Sequence, residues 1–265
     1  MAAVGSGLGK FQNMSALLEA RRLSSSEIET YFRDGFMKYG QILADEEVNE
    51  AREYVDQMVA SLKPGERPEG FDMTHTKHEF MFDLCRHPRV LDVIEQFIGP
   101  NIVLFASHLI CKPGGDGKAA PWHQDSTYWP LEPMQIMTLW LAIDEATTEN
   151  GCMRVIPGTH TLGELVHSQQ NTDENLLHLG LDISEFSDKP IIDCVLKPGE
   201  CTFHEARLVH GSTANTSPKR RAGYTMRFMP VTTRLDRSTE AFYANHPLYL
   251  LRGEDKDGVN SYVNG

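Results

Sequence analysis

The first third of the chain carries apolar residues at helical spacing. Val48, Ala51 and Val55 recur at intervals of three and four within positions 45–62, and this pattern predicts an amphipathic helix with one buried face. Two further helices are indicated by signals at their ends. Their boundaries are the capping box from Ser24 to Glu27 with a stop near Gly35, and the span from Pro88 to Gly99. We therefore expect a helical layer at the start of the fold.

After Gly99 the pattern changes to short runs of β-forming residues separated by turn signals. The runs span positions 102–112, 134–143, 153–156, 191–196, 201–204 and 223–231. Several runs are bounded by a Pro-Gly pair, in which proline sets the first corner of a type II turn and glycine accepts its positive φ. Helices first and short strands afterwards predict a mainly β protein of the α+β class. The expected fold is a double-stranded β-helix (jelly roll, cupin-like) braced by N-terminal helices.

The expected domain organisation is one domain at residues 24–265 after a loosely held N-terminal arm at 1–23. Within this domain we expect the helical layer at about 24–99 and the jelly-roll core at about 100–232. A polar, turn-rich insertion at about 159–190 interrupts the core. Long insertions of this kind are typically lids or binding loops.

The chain is acidic, with a formal net charge of −12 at pH 7. Nucleic acids and anionic membranes are bound by clustered Lys and Arg, so we expect neither as a partner. The five cysteines form no Cys-x-x-Cys pair, which argues against a zinc cluster and favours a reducing compartment. The sequence has no run of about 18 apolar residues and no export signal. We expect a cytoplasmic monomer or homodimer that binds a small-molecule substrate.

His123 and Asp125 are separated by one residue, so in an extended strand their side chains point to the same face. An imidazole and a carboxylate placed in this way can bind one metal ion, and His210 is the candidate for a third ligand. Two imidazoles and one carboxylate are the ligands of non-heme Fe(II) oxygenases. A His-x-Asp tripeptide also occurs by chance, and His210 could equally be a hydrogen-bonded histidine at a strand end.

Arg221 opens a predicted strand whose alternate residues differ in polarity. Arg221, Thr225 and Arg227 share one face, whereas Tyr224 and Phe228 lie on the other. An arginine directed into a barrel interior needs an anionic partner, because a buried and unpaired charge is costly. A carboxylate of a bound dicarboxylic acid would satisfy Arg221 through a two-pronged contact. The alternative is an arginine on a solvated face.

Four other residues are candidates for contacts with a substrate. They are His75, Tyr128, Arg227 and Arg252. A loop around His75 could reach the mouth of a pocket, and arginines in the C-terminal third of an acidic chain could attract an anionic substrate. The alternatives are a cap or surface role for the histidine and ion pairs with surface carboxylates for the arginines. His204-Glu205 begins like a zinc-protease motif, but the next histidine follows His204 after six residues instead of four, so neither is assigned.

Several short motifs occur in a defined order along the chain. They are His123-Gln124-Asp125, Tyr128-Trp129, Asn150-Gly151-Cys152-Met153, Pro157-Gly158-Thr159-His160, His210-Gly211-Ser212 and Arg221. Together they resemble the phytanoyl-CoA dioxygenase family of Fe(II)- and 2-oxoglutarate-dependent oxygenases, over about residues 28–252. The resemblance implies that His123, Asp125 and His210 are the iron ligands.

The resemblance also implies a pocket for 2-oxoglutarate, in which Arg221 binds the distal carboxylate. Four more residues match positions that line this pocket in family members, namely Ser212, Trp140, Gln124 and His108. His108 departs from the apolar residue expected at its position, and no lysine near Phe71 matches one that some members carry. Halogenating relatives have a small residue where this chain has Asp125, so halogenation is not expected.

The function implied by the resemblance is a dioxygenase that uses Fe(II), 2-oxoglutarate and O2 and most simply hydroxylates an unactivated C–H bond of a small molecule. Succinate and CO2 would be released. Desaturation, epoxidation or cyclisation of a secondary metabolite would use the same chemistry. Two other functions are also compatible with the sequence. One is a non-catalytic jelly-roll protein that binds a metal or ligand, and the other is a dioxygenase without a 2-oxo acid, in which Arg221 would have no role.

Overall fold

The computed structural model describes residues 21–263, so most of the expected N-terminal arm lies outside the described residues. The helices are α1 (Ser25–Asp34), α2 (Asp45–Ala60), α3 (Glu79–Cys85), α4 (Pro88–Ile98) and α5 (Ala241–Ala244). The strands are β1 (Phe36–Gln41), β2 (Phe71–Asp72), β3 (Ile102–Lys112), β4 (Ala120–His123), β5 (Leu131–Glu132), β6 (Met137–Ala142), β7 (Arg154–Val155), β8 (Ser168–Gln169), β9 (Leu179–Gly180), β10 (Ile192–Asp193), β11 (Glu200–Glu205), β12 (His210–Ser212), β13 (Arg221–Pro230), β14 (Arg234–Leu235) and β15 (Tyr249–Arg252).

The three helices predicted from the sequence are present. At the start of α1 the Ser24 hydroxyl accepts a hydrogen bond from the Glu27 amide, and the Glu27 carboxylate accepts one from the Ser24 amide. The helix ends at Gly35, whose φ of 77° lies in the left-handed region that glycine adopts without strain. Local capping chemistry therefore sets both ends of α1.

The strands form two principal antiparallel sheets. The major sheet has the order β1-β11-β6-β13-β3-β15, with β2 paired to β3, and the minor sheet has the order β10-β7-β12-β4. Residues of both sheets line one central cavity, so the cavity lies between the sheets. This arrangement confirms the predicted jelly roll.

Strand β13 separates the helical layer from the cavity. Tyr224 and Phe228 belong to the core that also contains Val48 and Val55 of α2. Residues of the opposite parity, including Arg221, line the cavity. The strand is therefore buried on both faces, with an apolar face toward the helices and a polar face toward the site.

The expected segment boundaries need two corrections. The N-terminal segment is not purely helical, because β1 pairs with β11 and forms one edge of the major sheet. Strand β15 lies beyond the expected end of the core at residue 232 and pairs with β3 at the other edge. Both strands depend on partners far away in the sequence, which local patterns do not reveal. The insertion contains the small β8-β9 hairpin.

Helices long and apolar enough to cross a membrane are absent from the part of the chain that the structure describes.

Candidate metal and cosubstrate site

The three candidate metal ligands meet at one end of the minor sheet. His123 ends β4, and His210 begins β12 and is its direct cross-strand partner. Asp125 follows in the first turn after β4. One potential ligand atom from each residue lies within 4.8 Å of the others, and all three side chains are buried. Strand pairing thus brings together residues that are far apart in the sequence.

Backbone carbonyls orient both imidazoles. Nδ1 of His123 lies 2.7 Å from the carbonyl oxygen of Pro121, and Nδ1 of His210 lies 2.9 Å from that of Leu208. A carbonyl oxygen only accepts, so Nδ1 is the protonated nitrogen in each ring, and the lone pair of Nε2 is free. The two Nε2 atoms lie 3.5 and 3.9 Å from Oδ1 of Asp125. This donor set fits an Fe(II) ion.

The protonation states at this cluster also suit metal binding. Burial alone would raise the pKa of the Asp125 carboxyl, but Arg227 and the surrounding histidines outweigh it and hold this pKa well below its usual range. Burial lowers the pKa of His210 well below its usual value. An ionised carboxylate and a neutral imidazole are the forms that bind a metal ion.

Arg221 lies in the same cavity, which has a volume of about 320 Å³. Its side chain is buried, and its guanidinium carbon lies 5.3 Å from the centre of the Trp140 ring. Within residues 21–263, no carboxylate oxygen lies within 4.0 Å of the guanidinium, and Nε has no hydrogen-bond partner. Burial lowers the pKa of Arg221 to about 10, so the group is still charged at neutral pH. A buried cation without a counter-ion fits a carboxylate ligand.

The glycine at position 223 explains how Trp140 reaches Arg221. A Cβ atom at Gly223 would lie 2.1 Å from the Trp140 ring, a distance that no side chain can tolerate. The two strands are paired with Thr225 opposite Trp140, so the indole leans across Gly223 into the cavity. Trp140 therefore lines the cavity because its neighbouring strand has no side chain at this point.

Ser212 lines the cavity and is supported by a buried lysine that the sequence reasoning missed. Nζ of Lys112 donates to Oγ of Ser212 at 2.7 Å and to the carbonyl oxygen of Thr213 at 2.5 Å. Lys112 is the last residue of β3 and the cross-strand partner of Arg221. The pairing of β3 with β13, which only the fold reveals, places this basic side chain behind Ser212.

His204 is another residue that sequence reasoning did not place in the cavity. Its side chain is buried, and in the described structure neither ring nitrogen has a hydrogen-bond partner. Nε2 lies 3.8 Å from Oδ2 of Asp125. The neighbouring Phe203 belongs to the helix-facing core, so strand alternation could have predicted that His204 faces the cavity.

Comparison with known proteins assigns the chain to a family. The sequence model described as phytanoyl-CoA dioxygenase (PhyH) matches residues 31–223. The chain belongs to the phytanoyl-CoA dioxygenase family. The predicted resemblance is thereby confirmed.

Similar proteins include a probable phytanoyl-CoA dioxygenase of Caenorhabditis elegans, 36% identical over 143 residues, which cover 51% of this chain and 46% of that protein. The peroxisomal phytanoyl-CoA dioxygenase of Rattus norvegicus is 27% identical over 222 residues, which cover 75% of this chain and 66% of that protein. The chain thus spans about half to two thirds of the length of these curated relatives. A solved structure of the epimerase SnoN, in complex with Fe3+, alpha ketoglutarate and nogalamycin RO, matches with a TM-score of 0.69 and 23% identity. That match covers 91% of this chain and 95% of SnoN.

In this member of the phytanoyl-CoA dioxygenase family, Gln124 is not a cavity residue, contrary to the expectation. Its side-chain amide donates to the carbonyl oxygens of Gly163 and Arg207, at 2.9 and 2.7 Å. The side-chain carbonyl oxygen of Gln124 accepts a hydrogen bond from the backbone N–H of Leu165 at 2.8 Å. The backbone of Gln124 is extended, with φ −109° and ψ 132°, so its side chain points to the side opposite to those of its two neighbours. The Gln124 side chain therefore holds the insertion and does not line the cavity.

Two of the four candidate substrate residues also lie away from the cavity. Arg252 forms ion pairs with Asp92 and Glu95 of α4, which is the surface role given above as its alternative. His75 is buried, and its Nδ1 lies 2.7 Å from the hydroxyl of Ser107. Neither side chain is positioned to contact a ligand near Asp125.

His108, Tyr128 and Arg227 do lie at the site. His108 lines the central cavity, and its Nε2 lies 2.8 Å from the carbonyl oxygen of Glu69. Arg227 lines the same cavity, with Nε 3.8 Å from Oδ2 of Asp125. Tyr128 lines an adjoining cavity that shares His108, Asp125 and Arg227 with the first. The site therefore has two connected compartments.

Proposed function

We propose that this chain is an Fe(II)- and 2-oxoglutarate-dependent dioxygenase that oxidises, most simply by hydroxylation, a C–H bond of a small molecule. The observation that carries the proposal is one cavity with two features. The cluster of His123, Asp125 and His210 fits a metal ion, and the buried cation Arg221 lacks a carboxylate partner in the described structure. A metal-chelating dicarboxylate would satisfy both.

The names of similar proteins support the same chemistry. The curated relatives are phytanoyl-CoA dioxygenases, and SnoN was crystallised with Fe3+ and alpha ketoglutarate. When bound, Fe(II), 2-oxoglutarate and O2 supply the oxidant for a C–H bond, and 2-oxoglutarate leaves as succinate and CO2.

The protein's own contribution to this reaction is binding, orientation and exclusion of water. Arg221 would hold the distal carboxylate of 2-oxoglutarate through two parallel hydrogen bonds, which sets the direction in which the cosubstrate lies. The hydroxyl of Ser212 accepts from Lys112, so its own proton is free to point toward the same carboxylate. Residues of the insertion, including Thr172, Asn175 and Leu177, line the cavity and separate the site from solvent.

The decisive experiment is an anaerobic titration of the Fe(II)-loaded protein with 2-oxoglutarate, followed through the weak visible absorption band of the chelate. We expect the band in the wild type. In Arg221→Gln the apparent affinity should fall by about tenfold to a hundredfold, because two charge-assisted hydrogen bonds are lost. Glutamine removes a buried cation and keeps most of the volume, so the fold should survive.

Arg154→Gln is the matched control. Its guanidinium also lies over an indole ring, that of Trp122, but it pairs with Asp193, and Arg154 does not line the cavity. This variant should titrate like the wild type. If the folded, metal-loaded wild type gives no band, the dioxygenase proposal is wrong.

A further inference from the structure

The compartment next to the metal ligands has aromatic walls. Its volume is about 310 Å³, and it adjoins the central cavity at His108, Asp125 and Arg227. The walls come from β3, the turn after β4 and the C-terminal segment. The aromatic residues among them are Phe105, Tyr128, Trp129, Phe242 and Tyr243. We refer to this space as the aromatic compartment.

Arg227 lies where the two cavities meet. Its side chain is 12% exposed, and its guanidinium carbon lies 5.1 Å from the centre of the Trp129 ring. Nε is buried without a hydrogen-bond partner in the described structure. Over residues 21–263, Asp125 provides the one carboxylate within 4.0 Å of Arg227.

The charge of Asp125 is not available to Arg227 once a metal ion is bound. A carboxylate that binds a divalent cation has most of its charge neutralised there, so Arg227 becomes a nearly buried cation without an effective counter-ion. Other arginines of the chain differ in this respect. Arg252 has two carboxylates, and Arg67 pairs with Glu69 and Asp116.

The surroundings of Arg227 favour a single negative charge with a planar shape. The guanidinium presents a planar fork of donors that matches a carboxylate. Burial lowers the pKa of His108 and of His246, so both nearby imidazoles are neutral at neutral pH and add no positive charge. The carboxylate of Asp72 lies at the solvent side, with its side chain 56% exposed. A doubly charged phosphate would therefore lack a second cation at this position.

We infer that the aromatic compartment binds the substrate, and that the substrate is a carboxylic acid with an apolar or aromatic body whose carboxylate is held by Arg227. This inference rests on the proposed function. Aromatic side chains supply large apolar contact area to the body of such a ligand, while Arg227 fixes its orientation beside the metal ligands. Arg221 and Arg227, which share one face of β13, thus bind the acid groups of cosubstrate and substrate respectively.

The test uses a redox-inert form of the site, so that binding is measured without turnover. The protein is loaded with Zn(II) and 2-oxoglutarate and titrated by calorimetry with ω-phenylalkanoates from phenylacetate to 6-phenylhexanoate, each paired with its primary amide. We expect at least one acid to bind on the order of tenfold or more tightly than its amide. In Arg227→Gln this preference should disappear, and in Arg154→Gln it should persist.

Three results would overturn the inference. Acid and amide of every pair bind equally well, or no acid of the series binds, or Arg227→Gln keeps the preference for the acid. A fourth result would reassign the residue. If Arg227→Gln weakens the Fe(II)-2-oxoglutarate absorption band as strongly as Arg221→Gln does, Arg227 binds the cosubstrate. Failure of the proposed function itself is distinct, because the band would then be missing from the wild type.

Discussion

Lys112 shows how one buried residue can tune the site without lining it. Burial is the main cause that lowers the pKa of Lys112 to about 6, Arg221 lowers it further, and the carboxylate of Glu69 acts in the opposite direction. In the ligand-free protein near pH 7, Lys112 is therefore mostly neutral. A dicarboxylate bound beside Arg221 would favour the charged form of Lys112, so binding of 2-oxoglutarate should take up a proton.

We predict that the affinity for 2-oxoglutarate decreases as pH rises from 6 to 8. The charged form is present at lower pH, and uptake of a single proton limits the change to about tenfold per pH unit. The anaerobic chelate titration at pH 6, 7 and 8 measures this slope. Lys112→Met should flatten it, because methionine keeps the volume without a titratable group. Equal slopes in the variant and the wild type would exclude Lys112 as the source.

At the scale of elements, the insertion is held to the metal-binding turn by Gln124. Three hydrogen bonds connect this side chain to Gly163, Leu165 and Arg207. His167 adds a fourth contact, since its Nε2 accepts a hydrogen bond from the backbone N–H of Gln124. The segment that covers the cavity is thereby linked to the residue between two metal ligands.

Gln124→Ala should loosen the insertion and leave the sheets intact. The change removes the partners of two carbonyls and one amide, at a cost of about 1–3 kcal/mol for each group that remains buried and unsatisfied. Hydrogen exchange should become faster in residues 163–181 and stay unchanged in β6 and β13. Gln169→Ala, at an exposed position of the same insertion, is the control. Unchanged exchange in the insertion would contradict this role for Gln124.

At the scale of the whole molecule, the ligand-free site holds buried charged groups between the two sheets. Arg221 is buried with no carboxylate oxygen within 4.0 Å of it in the described residues, and Nε of Arg227, 3.8 Å from Oδ2 of Asp125, has no hydrogen-bond partner there. A metal ion and a dicarboxylate would compensate these charges and connect ligands from both sheets. Binding and folding should therefore be strongly coupled.

We predict that Zn(II) and 2-oxoglutarate together raise the melting temperature. A ligand at a hundred times its Kd contributes about 2.7 kcal/mol, which corresponds to roughly 5–10 °C for a protein of this size. EDTA should reverse the shift, as scanning calorimetry can measure. His123→Ala should show no shift because the metal site is incomplete. An equal shift in this variant would place the bound ligands elsewhere.

The sequence by itself determined the parts of this protein that depend on local patterns. The capping box at Ser24 and the alternation along β13 need only neighbouring residues, and both were predicted correctly. The spacing of His123 and Asp125 is also local, and Nε2 of the first lies 3.5 Å from Oδ1 of the second. The order of the motifs along the chain was also sufficient to identify the family.

Only the tertiary structure decided which residues from distant segments come into contact. The pairing of β4 with β12 joins His123 to His210, and the pairing of β3 with β13 places Lys112 behind Ser212. The fold also selected the partners of Gln124, which are Gly163 and Leu165 of the insertion, and placed Nε2 of His204 3.8 Å from Oδ2 of Asp125. The physical reason is that local spacing sets the direction of a side chain, whereas its partner is selected by contacts between segments far apart in the sequence.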